Sequence, residues 1–224
     1  MGINIGVMQK IDRNVDGIID IMFDATKNYY TSLTKNRLYG WHSALFPTGR
    51  SGMNKITVGS WRKKDSDIMQ VISGPIGREV VHFEAPTYDR LNKEMQYFIK
   101  WFNSATKDDL VLKSAIAHLW FITIHPFADG NGRIGRALSD MLLAKSENTG
   151  KRFYSMSSQM QKDRKNYYLK LEKSQKGNLD ITEWIIWFLD CLKKAIKASE
   201  DTLSFTLYKA KFWKEHEEII INTR

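Results

Sequence analysis

Residues 110–124, LVLKSAIAHLWFITI, constrain this chain more than any other stretch. The run reads as a helix that becomes apolar on every side towards its C-terminal end. Such a helix is stable only where other elements surround it, at the centre of a bundle. It is shorter than the ~20 residues needed to cross a bilayer, and no other apolar run comes closer. Pro126 ends it. The segment FADGNG follows, and a second helix is expected from about Arg133 to Asn148, closed by Gly150.

Helical periodicity dominates the rest of the chain. Residues 11–30 predict an amphipathic helix whose apolar face carries Ile11, Val15, Ile18, Ile19, Met22 and Phe23. A second helix is expected over Asn36–Leu45, before Pro47, with TGRSG (48–52) as loop. Residues 53–86 differ. After Thr57, Val58 and Trp61 come DIMQVIS and EVVHFEAP, separated by a Gly/Pro turn. They predict one hairpin, with strands near 68–72 and 80–84. A lone hairpin is unstable, so it must lie on the helical body. Further helices are expected at Tyr88–Asn103, with Thr106 and Asp109 capping the central helix, and at Gln159–Lys176, ended by Gly177. Asp180 and Glu183 start a long helix to about Ser199, and a last helix covers 201–217. The expected fold class is all-α with one small β-hairpin. No internal repeat or linker is visible.

The chain has 224 residues, 42% hydrophobic and 26% charged, which excludes disordered, collagen-like and low-complexity classes. The first residues lack the pattern of a secretory signal. Cys191 is the single cysteine, so no internal disulfide can form. It lies in an apolar helical stretch and reads as a buried inert thiol, and a cytoplasmic location fits. The net charge of +9 points to an anionic partner. Its densest cluster, Lys162, Arg164 and Lys165, reads as a solvated helix face, so nucleic acid is not the expected ligand. His118, two turns before His125, reads as core, as do Trp184, Trp187 and Phe188. His42 and His216 carry no supporting context.

The chemistry concentrates in HPFADGNGRIGR, residues 125–136. Its glycines permit a nest of backbone N–H groups. The nest opens onto a helix N-terminus, which favours an anion. Arg133 and Arg136, three apart, share a helix face beside it, and arginine forks bind phosphate oxygens in pairs. Asp129 is a hard carboxylate suited to Mg²⁺. His125 titrates near neutral pH. Together they describe a polyphosphate site with a metal and a proton acceptor.

HPFADGNGRIGR resembles the Fic family signature HPFx[D/E]GNGRxxR at every fixed position. The hairpin MQVISGPIGREVVHFEAP resembles the family's flap, and RKNYYLKLEKSQKGN (164–178) the segment closing its adenine pocket. The resemblance covers roughly residues 35–200. It implies a Fido-type helical bundle, with 1–34 as an N-terminal helical segment and 201–224 as a C-terminal helix and tail. It also implies a protein adenylyltransferase, which moves AMP from ATP to a hydroxyl of a target protein. In that scheme His125 is the general base and Asp129 holds Mg²⁺. Gly130, Asn131 and Gly132 cradle the phosphates, while Arg133 and Arg136 neutralise the β- and γ-phosphates. Tyr167 and Gln175 contact the nucleotide. Val80, Val81, His82 and Phe83 dock the target by strand addition. His82 reads equally well as a solvent-facing strand histidine.

The expected partners are ATP and an unidentified target protein, with a homodimer allowed, no membrane, and a bacterial source. Two other readings are a Fic-type enzyme that moves another phosphate-containing group or removes AMP, and a basic non-catalytic module. Many Fic proteins carry an inhibitory [S/T]xxxE[G/N] helix whose glutamate pairs with the second motif arginine. No Glu here has Ser or Thr four positions earlier. The resemblance therefore implies a core without that helix or the C-terminal winged-helix-like domain of a related subgroup, and an unrestrained Arg136.

Overall fold

The computed structural model describes residues 13–64, 69–75, 78–105 and 109–216. Its centre is the helix expected there, α4 (Leu110–Ile124), packed on α5 (Asn131–Glu147). Small residues let the two helices approach. A Cβ added at Gly135 would sit 3.0 Å from Cδ1 of Ile122. Ser114 Oγ donates to Ser139 O across the contact (3.1 Å). The polar groups buried on α4 are satisfied, as buried groups must be. Lys113 Nζ donates to Ser104 O (2.9 Å) over the Trp101 ring.

Other elements cover this pair. α3 (Tyr88–Asn103) lays Phe98 and Trp101 against Trp120 of α4. α8 (Thr182–Glu215) is pinned to α4 where Trp184 Nε1 donates to Ala115 O (2.9 Å). α1 (Arg13–Lys27) and α2 (Lys35–Leu45) share Asp24, which accepts from Arg37 Nε (2.8 Å) and Trp41 Nε1 (2.7 Å). Two antiparallel hairpins sit on the helical body: β1 (Arg50–Ser51) with β2 (Asn54–Lys55), and β3 (Gln70–Ser73) with β4 (Val80–Glu84). α6 (Met156–Lys162) and α7 (Arg164–Lys176) complete the order. Cys191 is buried, and burial pushes its thiol up to about 12. No helix among the described residues is long and apolar enough to cross a membrane.

Several expectations change. The buried stripe of α1 is Gly17, Ile21 and Ala25, while Ile18, Ile19 and Phe23 are exposed. The stripe follows small residues because α1 presses on a backbone: a Cβ at Gly17 would lie 1.9 Å from Ala44 O. Gly17→Ala is therefore expected to lower stability by about 1–3 kcal/mol, as overpacking does, read as a fall in Tm. Residues 50–52, expected as loop, form the first hairpin with residues 53–55. The helix expected over 159–176 is broken at Asp163, whose Oδ2 accepts from Trp187 Nε1 (2.8 Å). α5 ends on left-handed Asn148 rather than Gly150. α8 runs unbroken past residue 200, because no proline or glycine interrupts it and Thr202 Oγ1 bonds back to Ala198 O (2.8 Å). Asp109 caps α4 by accepting from Val111 N (2.7 Å). Ile11, the Val15 side chain, Ile68, Thr106 and Glu217 lie outside the described residues.

Candidate active site

The loop between α4 and α5 is built by its own residues. His125 ends α4 in the left-handed region, with φ 50° and ψ 57°. Gly130 starts α5 at φ 84°, where a side chain would be strained and would meet the Phe46 ring. Buried Asn131 closes the loop, accepting from Phe127 N (3.0 Å) and donating to Phe127 O (2.8 Å). Its amide is thus committed to the loop backbone. Phe127 is fully buried and stacks on His42 at 4.2 Å.

His42, for which the sequence offers no context, holds the same loop. Gly59 N–H donates to its Nδ1 (3.2 Å), so Nε2 carries the proton and donates to Asp129 O (3.1 Å). Burial pushes its pKa down to about 4, which keeps that neutral tautomer. The Asp129 carboxylate accepts from Gly130 N (2.5 Å) and from Ser51 Oγ of the first hairpin, and Arg133 Nη2 lies 3.7 Å away. The Arg133 guanidinium lies over the Phe46 ring at 4.7 Å.

A cavity of about 1200 Å³ opens beside this loop. It is large enough for a nucleotide-sized ligand. His82, Phe83, His125, Gly132, Arg136, Tyr167 and Gln175 all line it. Asp129, Gly130, Asn131 and Arg133 belong to the loop and first turn beside it. Arg133 and Arg136 therefore divide: one is turned onto Phe46, the other lines the wall. Arg136 is half-buried, and among the described residues no hydrogen bond or ion pair reaches its guanidinium. Tyr167 is buried to 7% exposure, and its hydroxyl meets Nε2 of fully buried His118 (3.1 Å). Gln175 Nε2 donates to Thr123 Oγ1 (3.3 Å).

The second hairpin forms another wall. Its register pairs Val71 with Phe83 and Ile72 with Val81, which leaves His82 as the extra residue of a bulge. A bulge re-aims its side chain. Here His82 Nδ1 donates to Glu172 Oε2 of α7 (2.8 Å), and Ser73 Oγ lies 2.6 Å from Nε2. The side chain therefore ties the hairpin to α7. Hydrogen bonds from Lys176 and then His82 hold the Glu172 carboxyl below the usual range. Val80 and Val81 are exposed, at 54% and 42%.

The His125 ring is oriented so that Nε2 can accept a proton. Its Nδ1 lies 3.2 Å from Ile122 O, and a carbonyl can only accept. Nδ1 therefore carries the proton and Nε2 keeps a lone pair. Burial holds its pKa below the ordinary 6.5, opposed by the Ile122 contact and aided by the charge of Arg62. The imidazole is thus neutral at pH 7. Protonation would remove the lone pair, so a reaction that uses it is expected to slow as pH drops through this pKa. The acid limb of kcat/KM, which reports the free enzyme, is expected to have its midpoint below pH 6.5.

Asp129 fits Mg²⁺ as a single hard carboxylate. That ion commonly takes one or two carboxylates and completes its shell with water and substrate phosphates. No cluster of three candidate ligands exists among the described residues, so a bound polyphosphate would have to supply the remainder.

The sequence profile of the Fic/DOC family matches residues 32–143, half of the chain. The chain belongs to that family. The match contains α4, the glycine loop and most of α5. Relatives named "Protein adenylyltransferase Fic" from Drosophila sechellia and Drosophila melanogaster are 34% identical over 104 residues. Those residues are 46% of this chain and 20% of each relative, so the chain spans about a fifth of the length of the relatives it matches. Among solved structures, a Fic family protein from Desulfovibrio desulfuricans G20 superposes with a TM-score of 0.64 at 24% identity, covering 83% of this chain and 52% of that one. Fic-1 from C. elegans gives 0.64 at 17% identity, covering 92% and 56%. These likenesses show the Fic fold: mostly helical, with small antiparallel hairpins.

Sequence reasoning missed three groups in this Fic site: His42, Ser51 and Arg62. Each lies outside the motif and reaches it only through the fold. The Phe127–His42 stack has no local sequence signal.

Proposed function

We propose that this Fic protein is a protein adenylyltransferase. One observation carries the reading: a histidine whose Nε2 and an arginine whose guanidinium make no hydrogen bond or ion pair among the described residues line the same nucleotide-sized cavity. A hydroxyl oxygen of the target protein attacks the α-phosphorus of ATP. His125 Nε2 takes the hydroxyl proton as the O–P bond forms. The bond from the α-phosphorus to the bridging oxygen breaks, and pyrophosphate leaves. The N–H groups at the first turn of α5, beside Gly132, and the guanidinium of Arg136 bind the phosphate chain. Arg133 joins them by leaving its stack on Phe46. Asp129 would hold Mg²⁺, which supplies charge neutralisation to the phosphates when bound. Tyr167 and Gln175 form the nucleoside end of the cavity. The exposed edge of β4 takes the target backbone as an added strand.

The names of the Drosophila relatives support AMP as the group moved. The test uses two labels. ATP labelled on the α-phosphate, with Mg²⁺ and a lysate, is expected to leave label on protein. ATP labelled on the γ-phosphate is expected to leave none beyond that of the same lysate without the chain, the background subtracted for both labels. The reverse pattern would make the chain a kinase. No protein-bound label from either form would refute transfer of any ATP phosphate to protein.

A further inference from the structure

Arg62 lies in the segment that joins the two hairpins, is 8% exposed and is not among the residues lining the large cavity. Among the described residues it has no carboxylate within ion-pair distance. Instead it is held by carbonyls. Its backbone N–H donates to Pro126 O (2.8 Å), its Nε to His125 O (3.1 Å), and its Nη2 to Pro86 O. A buried guanidinium without a counter-charge is costly to keep. The contacts show where that cost is applied. His125 is one of two non-glycine residues with positive φ among those described. Such a residue persists only where its surroundings over-determine it. Two consecutive carbonyls of the turn, those of His125 and Pro126, are gripped by one residue. Pro86 lies two residues past the end of β4, next to Ala85, whose N–H donates to Met69 O (2.9 Å) at the base of the second hairpin.

We infer that Arg62 is a positioning residue for the base: its guanidinium fork holds the His125 backbone in the left-handed turn and ties it to the root of the second hairpin. The inference rests on the adenylyltransferase reading, because His125 and β4 are there the base and the target-docking strand. One fork then sets the distance between the group that takes the proton and the strand that presents the hydroxyl. A misplacement of about 1 Å at such a site can cost 10²-fold in rate.

The test pairs Arg62→Lys with Arg62→Met. Lysine keeps the charge but offers one nitrogen, which cannot serve both backbone carbonyls, those of His125 and Pro86, in the fork's geometry. Methionine removes charge and fork while filling similar space. Three quantities are read for each: Tm, KM for ATP, and the initial rate of protein labelling from α-labelled ATP in a lysate at saturating ATP. Both variants are expected to lose about 100-fold in rate with KM for ATP unchanged. A merely structural role would instead lower Tm and raise KM together with the loss of rate, and would overturn the inference. So would wild-type rates in both variants. If Arg62→Met does not fold, Arg62→Lys decides by the same criteria. If the wild-type chain itself transfers no AMP, the functional reading fails, and crystal structures of the variants decide the positioning claim. A His125 that leaves φ near 50° or loses its Ile122 contact supports it, and an unchanged turn refutes it.

Discussion

His125→Ala is expected to reduce AMP transfer by about 10²–10⁴-fold or more, while ATP still binds and the fold persists. The size follows from the role. A positioned general base contributes about that much to proton transfer in the transition state, and neither of the other histidines near the cavity is placed to substitute. His82 lines the same cavity but is tied to Glu172 and Ser73. His118 is fully buried, and its pKa is held near 3 by burial and the charge of Arg136. Retention of ATP binding is expected because Arg136, Gly132 and α7 line the cavity independently of the imidazole and would hold the nucleotide without it. The substitution leaves the grip of Arg62 on the His125 and Pro126 carbonyls in place, so Tm should change little. Isothermal calorimetry with ATP, thermal unfolding and α-label transfer form the complete measurement. Transfer at the wild-type rate in the variant would remove His125 from the chemistry. Loss of ATP binding together with transfer would make its role one of building the loop.

Much of this was readable from the chain because the deciding signals were local. The bounds of α4 follow from an apolar run that needs neighbours on every side and from Pro126, which stops it. The hairpin bearing His82 follows from two β-leaning runs about a Gly/Pro turn. The glycine loop followed by arginines reads as a phosphate nest because backbone freedom and helix-terminal N–H groups are properties of a few adjacent residues. Where the reading failed, the deciding force acted across the fold. Periodicity puts the apolar side of α1 on its larger residues, but a backbone carbonyl from α2 selects Gly17 and leaves Ile18, Ile19 and Phe23 in solvent. The break at Asp163 depends on an indole of α8.

The site divides in the same way. His125 and Arg136 were visible because the motif carries them. His42, Ser51 and Arg62 were not, since each is a single residue 63 or more positions before the motif atom it grips. The family resemblance places Asn131 among the phosphate-cradling residues, and the structure shows its amide bound to the Phe127 backbone. The glycine loop is therefore shaped from outside as much as by its own sequence. That is why the motif alone predicts the residue types of the site but not the separation of Arg133 from the cavity wall.

Arg136→Ala is expected to weaken ATP binding by about 10- to 100-fold and to leave adenosine binding unchanged. Hydrogen bonds to charged groups are worth about 1.5–3 kcal/mol, and each 1.4 kcal/mol is a factor of ten in Kd. The guanidinium makes no hydrogen bond or ion pair among the described residues, so its removal strands no buried acceptor. Alanine is also the best helix former at an interior position of α5. Tm should therefore hold or rise, which separates this variant from one that damages the bundle. Asp140, whose carboxyl burial raises and Arg152 chiefly lowers, keeps its ion partner. Comparing ATP with adenosine locates the effect. A loss confined to ATP places the guanidinium at the phosphate chain, whereas an equal loss for both places it at the nucleoside or marks a collapsed cavity. Unchanged ATP affinity would mean that the cation on the cavity wall meets no phosphate, and the nucleotide would have to be oriented without it.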